Sequence, residues 1–151
     1  MDQNFTPEEF AAEFSPRTIT GFFIDVYNEK AEVVTIPASL DEYYRLLDCR
    51  QIAMPEHRIG VRSRRPHVFT IICDDEALNH DPQKISAIDN MGAPMLCGNL
   101  FIVRTAANEC GELEAASLSQ EDIEYLKHFI LLQATRNFPD PYPMLHQCEY
   151  C

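Results

Sequence analysis

The stretch TITGFFIDVYNEKAEVVTI (18–36) decides how the rest of the chain is read. Ile24 and Val26 before its middle, and Val33, Val34 and Ile36 after it, are β-branched, while Asn28, Glu29 and Lys30 between them are polar. β-branched side chains are stiff at χ1 and fit an extended, half-buried backbone. Two such runs around a short polar break predict an antiparallel hairpin.

Reading C-terminally, PASLDEYYRLLD (37–48) predicts a helix with Ser39 as its cap, Glu42 at the capping-box position, and Leu40, Tyr43, Tyr44 and Leu47 as its apolar face. CRQIAMPEHRIGVR (49–62) and HVFTIICDD (67–75) predict two more strands. The turn-rich span 75–94 reads as a long loop with one short ordered piece. MLCGNLFIVRTA (95–106) is a strand apolar on both faces through Leu100, Phe101, Ile102 and Val103, which predicts a central place in the sheet. SLSQEDIEYLKHFILLQATRNF (117–138) carries the strongest helical period: Ser119 caps, Asp122 closes the box, and Ile123, Leu126, Ile130 and Ala134 share a face. The expected fold is therefore α+β, a mostly antiparallel sheet of about five strands in a single domain, with helices packed on one side.

Three segments follow from this reading. Residues 1–17 form an N-terminal helix or arm, since Thr6, Pro7 and Glu9 make a capping box and Phe10 and Phe14 fall one turn apart. Residues 18–137 are the α+β domain. Residues 138–151, with three prolines in PDPYP, are an extended tail or interaction peptide.

Charge narrows the function. The 151 residues carry a formal net charge of −12. Four arginines, Arg58, Arg62, Arg64 and Arg65, fall within eight residues, and removing their four positive charges from −12 leaves −16 on the rest of the chain. Nucleic-acid binding needs Lys and Arg over a broad footprint, so direct contact with nucleic acid is not expected and a basic protein partner is. The arginine block itself reads as internal ion pairing with Glu56 or the C-terminal helix, as contact with an acidic patch of a partner, or, least, as a phosphate grip. No apolar run is long enough to span a bilayer, and MDQNFTPEEF opens with acids where an export signal has bases, so a cytoplasmic protein with no membrane contact and reduced cysteines is expected.

FFIDVYNEKAEVVTIPASLDEYYRLLDC (22–49), FTIICDDEA (69–77), GNLFIV (98–103) and the acidic C-terminal helix together resemble a family of uncharacterised small domains. That family is encoded on conjugative elements and phages of gut Firmicutes, often beside antirestriction genes. The resemblance runs over roughly residues 19–130 and implies a setting on mobile elements, with no catalytic residues to carry over. Small acidic proteins in that setting are often inhibitors of host nucleases, of antirestriction or anti-CRISPR type, which is an association with the setting. CDDEALNHDP (73–82) departs from the family pattern, in which the acids run into a glycine-containing turn.

Candidate chemistry is sparse. Asp74, Asp75 and Glu76 end a predicted strand, where carboxylates hold Mg²⁺ in metal-dependent enzymes, but adjacent strand residues point apart and a solvated turn is the simpler reading. His146, Cys148 and Cys151 are half a zinc site without a fourth ligand. His57, His67, His80 and His128 are scattered, Cys73 reads as core, and no P-loop, nucleophile elbow or dinucleotide fingerprint is present. The expectation is a protein without catalytic activity or cofactor that binds a host protein through its basic nucleic-acid surface, imitating phosphate charge with Glu109, Glu112, Glu114, Glu121, Asp122 and Glu124, then Asp74, Asp75 and Glu76. The alternatives are an interaction module built on the Arg58 to Arg65 edge and a small metal-dependent enzyme built on Asp74, Asp75 and Glu76.

Overall fold

The structure is a computed structural model that describes residues 17–60 and 69–150. The expected N-terminal helix, Arg62, Arg64, Arg65 and Cys151 lie outside the described residues.

The hairpin forms as read. Strand β1 (Thr18–Asp25) pairs antiparallel with β2 (Lys30–Pro37) in unbroken register from Thr18↔Pro37 to Asp25↔Lys30. Asp25 closes the turn by accepting from the Asn28 backbone N–H at 3.0 Å and its side-chain amide at 2.7 Å. The strands β3 (Ile52–Ala53), β5 (Phe69–Asp74), β8 (Leu100–Ala107) and β9 (Leu113–Ala116) complete a six-stranded antiparallel sheet, ordered β2-β1-β8-β5-β3 with β9 also on β8. The central strand is β8, as its two-sided apolar run requires. Gly21 lets it approach: a Cβ there would lie 2.5 Å from the Phe101 ring and 2.8 Å from the Ile102 carbonyl oxygen.

A second sheet, absent from the sequence reading, contains β6 (Ile85–Ile88), β7 (Pro94–Cys97), β10 (Ile130–Gln133) and β11 (Tyr142–Leu145) in the order β10-β11-β6-β7. Its β11–β6 pairing is parallel and its other pairings antiparallel. The predicted 95–106 strand is two strands in different sheets, divided at Gly98, whose φ of +78° turns the corner. A third pairing joins β4 (His57–Ile59) to β12 (Cys148–Tyr150).

Helix α1 (Leu40–Leu47) has Ser39 as N-cap, and α2 (Gln120–Lys127) has the full capping box of Ser119 and Asp122. They do not share one side. Tyr43 and Leu47 of α1 pack on Ile19, Phe23, Ile72, Phe101 and Val103. Ile123 and Leu126 of α2 join the second sheet's Ala87, Met144 and Leu145 over Phe22, Ile24, Ile71 and Ile102. Residues on β1, β5 and β8 are apolar on both faces, so the main sheet needs cover on both, and the one-sided expectation fails for that reason.

Two further corrections concern the C-terminal third. The helical period running to Ala134 stops at Lys127, and Ile130–Gln133 is a strand because it finds a partner in β11. The expected tail is core: Tyr142, Met144, Leu145 and Cys148 are fully buried. Tyr142 donates to the Ile85 carbonyl at 2.7 Å, and the buried Lys84 ammonium sits 4.4 Å from its ring centroid and 4.8 Å from that of Phe138. Prolines in this segment break helix but not docking, since Pro143 takes a place in the four-residue β11. No helix of the described residues is long and apolar enough to cross a membrane.

Candidate functional site

The nine acids singled out from the sequence separate into two groups. Glu109 and Glu112 sit on the β8–β9 turn, which Asn108 organises by accepting from the Cys110 and Glu112 N–H groups at 2.9 and 3.0 Å. Glu114 is on β9 opposite Ala106, and Glu121 is in the first turn of α2. All four are exposed, and none has a cationic partner among the described residues. Arg104 pairs with Ala116, two residues from Glu114 on the same strand face, and reaches Asp122 of α2 at 2.6 Å. That contact sets Glu114 and the first turn of α2 on one side of the sheet.

Of the other five acids, all but the exposed Asp75 are engaged within the fold. Asp122 is buried, accepts from the Ser119 N–H at 2.8 Å and holds Arg104. Burial pushes its carboxyl upward, but the Ser119 hydrogen bonds and the guanidinium outweigh burial and bring it below the usual aspartate range. Glu124 lies 3.4 Å from Lys127. Glu76 takes a two-pronged contact from Arg50, at 3.1 and 3.0 Å, which lowers its pKa. Asp75 is exposed, but Asp74 is 8% exposed and turned inward.

Asp74 is the centre of an arrangement that reading single motifs missed. One carboxylate oxygen accepts from the Glu76 N–H at 2.8 Å, and the other lies 2.6 Å from His80 Nε2. A 3-10 turn (Ala77–Asn79) brings the chain back so that residues six apart meet. The Tyr27 ring leans on His80 with centroids 6.0 Å apart. Asp25, Tyr27, Leu47, Asp74, His80 and Asn99 are among the residues lining a cavity of about 330 Å³. A neighbouring cleft of about 500 Å³ shares Asp48, Asp74 and His80 with it. Burial, then the nearby Cys97 and Asp74, raise the Tyr27 pKa. Burial and the acids beside it push the Cys73 thiol up to about 12, so this cysteine is core and no nucleophile. In the sequence Asp74 stands out as an acid at the end of a predicted strand, but no spacing joins it to His80.

Asp74, Asp75 and Glu76 do not converge, and among the described residues no group of three or more His, Cys, Asp or Glu side chains is placed to hold a metal ion. Arg58 is half-buried on β4, cross-strand from Glu149, and its Nε has no partner among the described residues. His146 and Cys148 flank the exposed Gln147 at the entry to β12; Cys148 is buried in the core and His146 is half-buried. Compared with known protein families, curated proteins and solved structures, the chain matches none of them.

Proposed function

We propose that the chain is a protein-binding module without catalysis in this role, and that Glu109, Glu112, Glu114 and Glu121 occupy the basic nucleic-acid surface of a host defence nuclease. The observation that carries this reading is the division among the acids. These four stand exposed without cationic partners among the described residues, while Asp122, Glu124, Asp74 and Glu76 are used within the fold. Carboxylates without a cation among the described residues, held by a hairpin and a capped helix, present fixed charge, which speeds encounter with a basic surface and opposes binding to nucleic acid itself. The setting that the family resemblance implies supplies the class of target by association.

The test is binding and inhibition of purified restriction and CRISPR nucleases by the full chain, with duplex DNA as competitor. One nuclease should be captured, displaced by DNA, and bound at least about tenfold more weakly at 500 mM than at 100 mM salt. Reversing the four glutamates to lysine should abolish inhibition while leaving the fold intact. Unchanged inhibition by that variant would overturn the proposal, and capture indifferent to both DNA and salt would point to an apolar docking surface instead.

A further inference from the structure

We propose that His80, held by Asp74, is a general base that activates water against small uncharged or cationic esters bound in the Asp25–Tyr27–Asn99 cavity. The site lies by the α1-covered face of the main sheet and does not rest on the acidic-surface reading.

The imidazole is arranged as a base needs to be. A carboxylate only accepts hydrogen bonds, so in the neutral imidazole the 2.6 Å contact puts the ring proton on Nε2 and leaves Nδ1 with its lone pair. Asp74 cannot swing away, because its second oxygen is fixed by the Glu76 N–H at 2.8 Å. The His80 side chain is 41% exposed and borders three clefts, two of which also share Asp48 and Asp74. A base oriented by a third group beside a cavity is the arrangement that proton-transfer catalysis requires.

The cavity selects the substrate. Its volume of about 330 Å³ suits a small molecule. Asp25, Asp48 and Asp74 line it with no lysine or arginine among the described residues, and in the adjoining cleft Arg50 is bound to Glu76, so anions are repelled. Phe23, Leu46 and Leu47 give it an apolar wall. Two neutral donors are present: the Tyr27 hydroxyl, and the Asn99 amide, whose oxygen takes the Val26 N–H at 2.9 Å and leaves its NH₂ for another partner. In the reaction, water gives a proton to His80 Nδ1 as its oxygen bonds to the ester carbonyl carbon. The C–O bond to the alcohol then breaks, the Nδ1 proton passes to the departing oxygen, and acid and alcohol are the products.

The experiment uses p-nitrophenyl acetate as a neutral probe with the full chain. His80→Ala and His80→Gln should lower the protein-catalysed rate about tenfold or more. His128→Ala, which removes an exposed histidine outside the cavity, should leave the rate unchanged. An ester of the same phenol with a free carboxylate on its acyl chain should react several-fold more slowly than the acetate. Asp74→Asn, a test of the positioning role, should lower the rate and change the ring nitrogen that carries the proton in two-bond ¹H–¹⁵N spectra. Equal losses in the His80 and His128 variants, or none in either His80 variant, would overturn the proposal. Equal rates on the two esters would overturn its substrate class.

Discussion

Asp122 shows how one residue can be legible and still be misassigned. Its place three residues after Ser119 predicted the capping box, and both reciprocal bonds form. The same residue stands among the expected partner-binding acids, a role closed by burial and by Arg104, which lies eighteen residues upstream on β8. Asp122→Ala should destabilise the fold by about 1–2 kcal/mol, chiefly through the lost cap, because Arg104 is partly exposed and its pairing is screened. Glu121→Ala should stay within about 0.5 kcal/mol of the parent. Since the Asp122 pKa is depressed in the fold, its contribution is present above the ordinary aspartate value of about 3.9 and is lost as pH falls through the lower folded value. Urea unfolding of the two variants at pH 7 and at pH 3 checks both statements, the gap between them narrowing in acid.

At the scale of elements, the hairpin, α1 and the start of α2 follow their local signals because caps and β-branched runs act within a few residues. The 128–145 region follows its partners instead. Ile130, Leu131 and Leu132 fit a helix or a strand, and pairing with Tyr142–Leu145 decides for strand. Proline density marked 138–151 as detachable, yet β11 inserts Tyr142, Met144 and Leu145 between the sheets. A chain ending at Pro139 should therefore show no cooperative unfolding transition by circular dichroism. Met144→Ala should cost about 2–5 kcal/mol, as deletion of a buried side chain does. A truncated chain that melts like the parent would return this segment to the status of a tail.

Across the whole molecule, acid sensitivity should arise from two histidines, His57 on β4 and His146 between β11 and β12. His57 is 7% exposed and packs at a tilt against the Tyr150 ring, centroids 5.0 Å apart, and beyond a loose approach to the Pro55 carbonyl its ring nitrogens find no hydrogen-bond partner among the described residues. Burial lowers its pKa, opposed only in part by the Pro55 carbonyl, and burial likewise lowers that of His146 against the Leu131 carbonyl. The unfolded chain then takes up protons near pH 6.5 that the folded chain refuses, so stability is full above that value and falls as pH drops from it toward the folded values. The thermal midpoint should be lower at pH 5.5 than at pH 7.5, and the difference should shrink in His57→Gln; an unshrunk difference would remove His57 from the account. The sequence by itself determined the hairpin, the two capped helices, the central β8 and the excess of acid, because each rests on residues a few positions apart or on composition. Only the tertiary structure decided the second sheet, the burial of the C-terminal strands, which glutamates face outward, and the meeting of Asp74 with His80, Tyr27 and Asn99. Those depend on long-range pairing, where an ambiguous apolar run or a scattered histidine acquires its role from the surface against which it packs.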